Sequence, residues 1–81
     1  MVHNLKPGML VCFGDPKRTK YSGVIRATNS WFDVLPGMIG MYIGPSPLPP
    51  VFDAWAADMI LFSDSMVEVG SGVMVKYEYQ V

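Results

Sequence analysis

The 81 residues fill one domain, residues 1–81, and leave no room for a second, since domains typically run to about 100–200 residues. With 51% hydrophobic residues, 16% charged residues and a mean hydropathy of +0.28, the composition excludes a disordered polar tail. A net charge of −1 conceals a polarity. Lys6, Lys17, Arg18, Lys20 and Arg26 outweigh Asp15 and Asp33 in the first forty residues, whereas Asp53, Asp58, Asp64, Glu68 and Glu78 outweigh Lys76 in the rest.

Proline and glycine interrupt the chain so often that only Asp53–Met59 retains even a short helix-compatible stretch, so the expected class is all-β. Pro7-Gly8 reads as a turn leading into a first strand, Met9–Phe13. The polar, cationic run Gly14–Ser22 reads as a connecting loop, and Gly23–Thr28 as a second strand. After a turn at Asn29-Ser30, Trp31–Leu35 is a short strand or an anchored loop before Pro36-Gly37. Met38–Ile43 is a further strand, with Gly40 marking a bulge or bend.

Gly44–Pro50 contains four prolines without an amide hydrogen and reads as an extended polyproline-type loop. Asp58–Phe62 and Ser65–Val69 flank Ser63-Asp64 at the spacing of a tight hairpin. Beyond Gly70-Ser71-Gly72, Val73, Val75, Tyr77, Tyr79 and Val81 alternate with Met74, Lys76, Glu78 and Gln80, predicting one dry face and one wet face. Five or six short strands with frequent turns predict a small antiparallel barrel or sandwich rather than an open sheet.

The succession Lys6-Pro7-Gly8-Met9-Leu10-Val11, Gly23-Val24-Ile25, Pro36-Gly37-Met38-Ile39-Gly40 and Ile60-Leu61-Phe62-Ser63-Asp64 resembles small SH3-like barrel proteins encoded by tailed bacteriophages. The resemblance covers most of the chain and rests on strand and turn residues. It implies an SH3-like barrel with a structural, accessory or host-modulating role, located in the virion or the host cytoplasm. It brings no catalytic residue with it. The proline loop departs from the pattern.

Chemistry is sparse. His3 and Cys12 are the single histidine and the single cysteine, so no internal disulfide and no usual zinc site can be assembled. A nucleophilic Cys12 with His3 as base is outweighed by the reading of Cys12 as an inert strand residue. No phosphate-cradling glycine loop is present, and Asp53, Asp58 and Asp64 lack the spacing of a calcium loop. The expectation is a non-enzymatic protein with no cofactor and no metal.

Lys17, Arg18, Lys20 and Arg26, with Trp31 beyond them, form the one nucleic-acid-like feature. Few phosphates would be neutralised by so few cations, which makes this the weaker alternative. Pro47-Leu48-Pro49-Pro50 matches a P-x-x-P motif but lacks a flanking arginine. The strands carry the stronger signal. Met9, Val11 and Phe13 alternate with Leu10 and Cys12, and Ile39, Met41 and Ile43 with Met38 and Tyr42, so both faces are apolar.

A small domain has one interior, so the second face calls for a protein partner, either copies of the chain or another virion or host protein. Trp31, Phe32, Leu48, Val51, Phe52 and Trp55 are the candidate interface anchors. A virion subunit is the leading expectation. A small inhibitor of a host enzyme or defence complex is the alternative at the protein level, and membrane contact is not expected.

Overall fold

The computed structural model describes residues 5–14, 17, 19–46 and 57–78. These form seven strands: β1 (Leu10–Phe13), β2 (Tyr21–Ile25), β3 (Ser30–Val34), β4 (Ile39–Pro45), β5 (Ala57–Phe62), β6 (Ser65–Gly70) and β7 (Met74–Lys76). All pairings are antiparallel, and the strands make one sheet in the order β3-β2-β6-β5-β4-β1-β7. The all-β class agrees with the sequence. The strand count is seven rather than five or six, and Ser30–Val34, expected as a short strand or an anchored loop, pairs as a strand.

Among the described residues no ladder joins β3 to β7, so the hydrogen-bonded sheet does not close into a barrel. It nevertheless curls. Four inter-strand spacings of about 4.8 Å separate β6 from β7 in the sheet order, or roughly 19 Å if the sheet were flat. The connection runs only through Ser71–Val73, and four backbone steps reach at most about 14 Å. The curl turns one face inward.

Three turns are built alike. In Lys6–Met9, Leu35–Met38 and Gly70–Val73 the fourth amide donates to the first carbonyl, at 3.0, 3.1 and 3.1 Å. The third residue is glycine each time, with φ of +93°, +91° and +91° for Gly8, Gly37 and Gly72, as a type II turn requires. Met9 and Met38 add a second tie, their sulfurs accepting from the Lys6 and Leu35 amides. The β5–β6 hairpin has the two-residue loop expected at Ser63-Asp64, with Phe62 opposite Ser65 and Ser63 at φ +51°.

The concave face holds the core, formed by Val11, Val34, Tyr42, Ile60, Phe62, Val67, Val69 and Met74. Each large apolar side chain buried there contributes on the order of 1.5–3 kcal/mol. Several expectations are corrected. β2 ends at Ile25, because Arg26–Asn29 form a turn in which the Asn29 amide donates to the Arg26 carbonyl and Asn29 takes φ +54°. Ala57 joins β5 ahead of the expected Asp58–Phe62 strand. Gly44 and Pro45 extend β4 rather than opening a loop. Pro45 is tolerated because β1 pairs only as far as Ile39–Met41, leaving its nitrogen no ladder to serve on that side.

The dry and wet sets of the last strand are exchanged at its centre. Met74 faces the core opposite Phe13, while Val75 lies exposed opposite Cys12. The bulge in β4 lies between Tyr42 and Gly44 and not at Gly40. Gly40 has a different purpose: a Cβ there would stand 2.6 Å from Ile60 Cγ2, 2.9 Å from Phe62 Cε1 and 3.0 Å from the Leu61 carbonyl. Gly40→Ala therefore overpacks the core against backbone and destabilises the fold by roughly 1–3 kcal/mol. A lowered urea midpoint with an unchanged m-value is the expected measurement.

Candidate interaction face

Cross-strand registers define the convex face residue by residue. Leu10 pairs with Met41, Met41 with Leu61 and Leu61 with Met66, giving an apolar row across β1, β4, β5 and β6. A second row runs Val75–Cys12–Ile39 across β7, β1 and β4. Neither row contains a charged side chain. Leu10, Ile39, Met41, Met66 and Val75 are 38% to 48% exposed, so the described structure leaves a large part of each uncovered. Directly opposite side chains on one sheet face lie about 4.5–5.5 Å apart, so each row is a continuous contact strip.

A third row follows on the same face: Trp31–Val24–Glu68–Met59 across β3, β2, β6 and β5. Trp31 is the most exposed large hydrophobic residue among those described, at 61%. Phe32, its neighbour, points the other way and stacks on Phe62, with ring centroids 5.4 Å apart and planes 21° apart. The structure thus separates the two candidate anchors of β3, one outside and one against the core. Leu48, Val51, Phe52 and Trp55 lie outside the described residues.

The cationic feature is also dispersed. Arg26 Nε lies 3.0 Å from Glu68 Oε2, with the arginine side chain 30% exposed and the glutamate 8%. The Ser46 hydroxyl donates to the other Glu68 oxygen at 3.2 Å. Glu68 is half of a largely buried ion pair within the apolar face, and Arg26 is its counter-charge. Lys20 sits 3.9 Å from Asp33, both exposed, and Lys17 is exposed. Arg18 lies outside the described residues.

A second polar cluster reaches inward. Asp58 is buried, and its Oδ1 accepts from the Tyr42 hydroxyl at 3.4 Å and the Ser71 hydroxyl at 3.3 Å. Burial pushes the Tyr42 phenol above its usual pKa of 10.0, and the charge of Asp58 and the hydrogen bond to it act in the same direction. The Tyr21 hydroxyl accepts from the Gly70 amide at 3.0 Å, so the start of the β6–β7 link is tied from two sides.

Two open grooves lie among the described residues. One, of about 350 Å³, is lined by Phe13, Tyr21 and the Ser71–Val73 link. The other, of about 340 Å³, lies between Phe32, Met38, Phe62 and the Ser63-Asp64 turn. Neither carries a set of converging acid, base and nucleophile. Among the described residues no three His, Cys, Asp or Glu side chains gather as a metal site, and no helix is long and apolar enough to cross a membrane. No protein-family model, curated protein or solved structure matches the chain.

The sequence had singled out the cations without the partners that neutralise them. Glu68 carried a legible hint, being an acidic residue between Val67 and Val69, and all three are buried. Arg26→Ala leaves Glu68 in the sheet without its counter-charge and lowers stability by about 1–3 kcal/mol, whereas Lys20→Ala stays within about 0.5 kcal/mol. Chemical denaturation of the two variants separates a structural arginine from a solvated lysine.

The raised Tyr42 pKa also has a pH consequence. Its contribution to stability is complete below pH 10 and is lost as the pH climbs through the higher folded-state value. Tyr42→Phe is expected to lose about 1 kcal/mol at neutral pH. The variant should also lack this alkaline component in a stability profile measured by denaturation at stepped pH.

Proposed function

We propose that this chain is a non-enzymatic β module that works by protein–protein contact, as a virion structural or accessory subunit of the tailed-bacteriophage kind. The observation that carries this reading is the pair of charge-free rows on the convex face, with five large apolar side chains more than a third exposed. Side chains of that kind crowded into one continuous surface mark a contact site rather than scattered surface residues. Methionine suits such a surface, because an unbranched thioether adapts to the shape opposite it. Met41 and Met66 lie in one row, and Met59 adjoins it on the same face of β5.

The curled antiparallel sheet supports the SH3-like reading of the sequence, and the phage setting rests on that resemblance. A nucleic-acid surface is less well supported, since Arg26 is already engaged by Glu68 in a largely buried pair and the exposed Lys20 has the opposing charge of Asp33 beside it. The test is particle composition. Mass spectrometry of purified particles from a phage encoding this chain is expected to find it in amounts comparable to other virion proteins. A Leu10→Lys/Met41→Lys chain is expected to be depleted from those particles by at least tenfold. Wild-type chain confined to the infected-cell lysate would overturn the virion assignment and favour the host-inhibitor alternative.

A further inference from the structure

We propose that the β2–β3 hairpin opens away from β6 as a unit while the other five strands stay folded. Ladder pairing locates the seam. β2 shares five register pairs with β3, and β6 shares six with β5, but β2 and β6 share one, Val24 opposite Glu68. β3 is the outer strand of the sheet, so no other ladder depends on the hairpin. Without it, β6, β5, β4, β1 and β7 remain joined in their order.

The core divides along the same line. Of its eight buried members only Val34 comes from the hairpin, and the other seven lie on the five remaining strands. Tyr21, Ile25 and Phe32 pack against that core from the hairpin side and are only partly buried. Apolar burial is the main favourable term in folding, so detaching the hairpin forfeits a smaller share of it than unfolding the whole chain.

The moving segment is bounded on both sides. At the end of β1 the Gly14 amide donates to the Val73 carbonyl at 3.1 Å, which holds the chain before the hairpin to the β6–β7 link. After the hairpin, the Leu35–Met38 turn leads directly into β4. Side chains latch the seam between these limits. Arg26 Nε meets Glu68 Oε2 at 3.0 Å, the Gly70 amide donates to the Tyr21 hydroxyl at 3.0 Å, and Phe32 stacks on Phe62. All three contacts join the hairpin to β5 or β6, so they break together when it leaves. The fold thereby holds a second state, in which Val67 and Val69 are uncovered and β6 becomes an edge strand. This inference does not depend on what covers the convex face.

The experiment is residue-resolved amide hydrogen exchange of the full chain under native conditions, repeated in rising sub-denaturing urea. A detached two-stranded hairpin is marginal in water, so opening also releases the β2–β3 ladder to exchange. The protected amides of β2 and β3 are expected to exchange roughly tenfold or more faster than those of Met59–Leu61 in β5. They should share one urea slope, above zero and below that of the β5 set, because the slope follows the surface exposed. Arg26→Ala is expected to speed both sets by the same factor, since its ion pair is broken in the opened and the unfolded chain alike. Gly40→Ala strains packing against Ile60 and Phe62 that the opened chain keeps, so it is expected to speed the β5 set and narrow the gap.

Hairpin amides that exchange at the β5 rate overturn the proposal, because they then open only with the whole molecule. A hairpin set insensitive to urea also overturns it, since that is fraying rather than detachment. So does Arg26→Ala leaving the hairpin rates unchanged, or Gly40→Ala speeding both sets equally. Should either variant not fold, the wild-type rates and urea slopes decide alone.

Discussion

The three-residue connection between β6 and β7 constrains the whole molecule. It requires two strands that are four spacings apart in the sheet to begin and end close together, and only a curled sheet satisfies this. Once the sheet curls, its faces are no longer equivalent. One encloses Val11, Ile60, Val67 and Met74, and the other is turned out. The connection is accordingly well fixed: Gly72 accepts the left-handed backbone of the turn, the Val73 amide closes it, and Ser71 and Gly70 are held by Asp58 and Tyr21.

Curvature also explains where the glycines lie. Gly23 and Gly40 occupy inward positions in strands, where a Cβ would press within 2.6 Å of Val67 and Ile60 respectively. The interior of so small a curled sheet has no room for a side chain at every inward position. Close approach of strand backbones and valine-sized neighbours fill it instead. Phe32 and Phe62 then bring β3 against β5 through a stacked contact rather than a ladder.

The all-β class and most strand positions were legible because turn residues cut the chain at short intervals, and Pro-Gly pairs at 7–8 and 36–37 act locally through φ alone. The two-sided apolar character of β1 and β4 was legible for a similar reason, since alternation is a property of neighbours in sequence. What could not be read locally was long-range. That Met74 rather than Val75 faces inward is decided by pairing with Phe13, sixty-one residues earlier. The bulge at Tyr42/Gly44 is decided by the register with β5. The fate of Arg26 was hidden in the same way, because Glu68 meets it only through the β2–β6 pairing.

Together these constraints account for an apolar exterior in a chain with a small interior. Inward positions already require glycine, so Leu10, Ile39, Met41 and Met66 have no interior place to occupy; reversing a strand to bury them would expose Val11, Tyr42 and Val67 instead. Polar residues at those four positions would leave the core unchanged. Their apolar character therefore is not explained by the stability of the folded chain. It is explained if the face is covered in the working protein, and this links the hydropathy of the sequence, through the curl imposed at Ser71–Val73, to a function performed by contact.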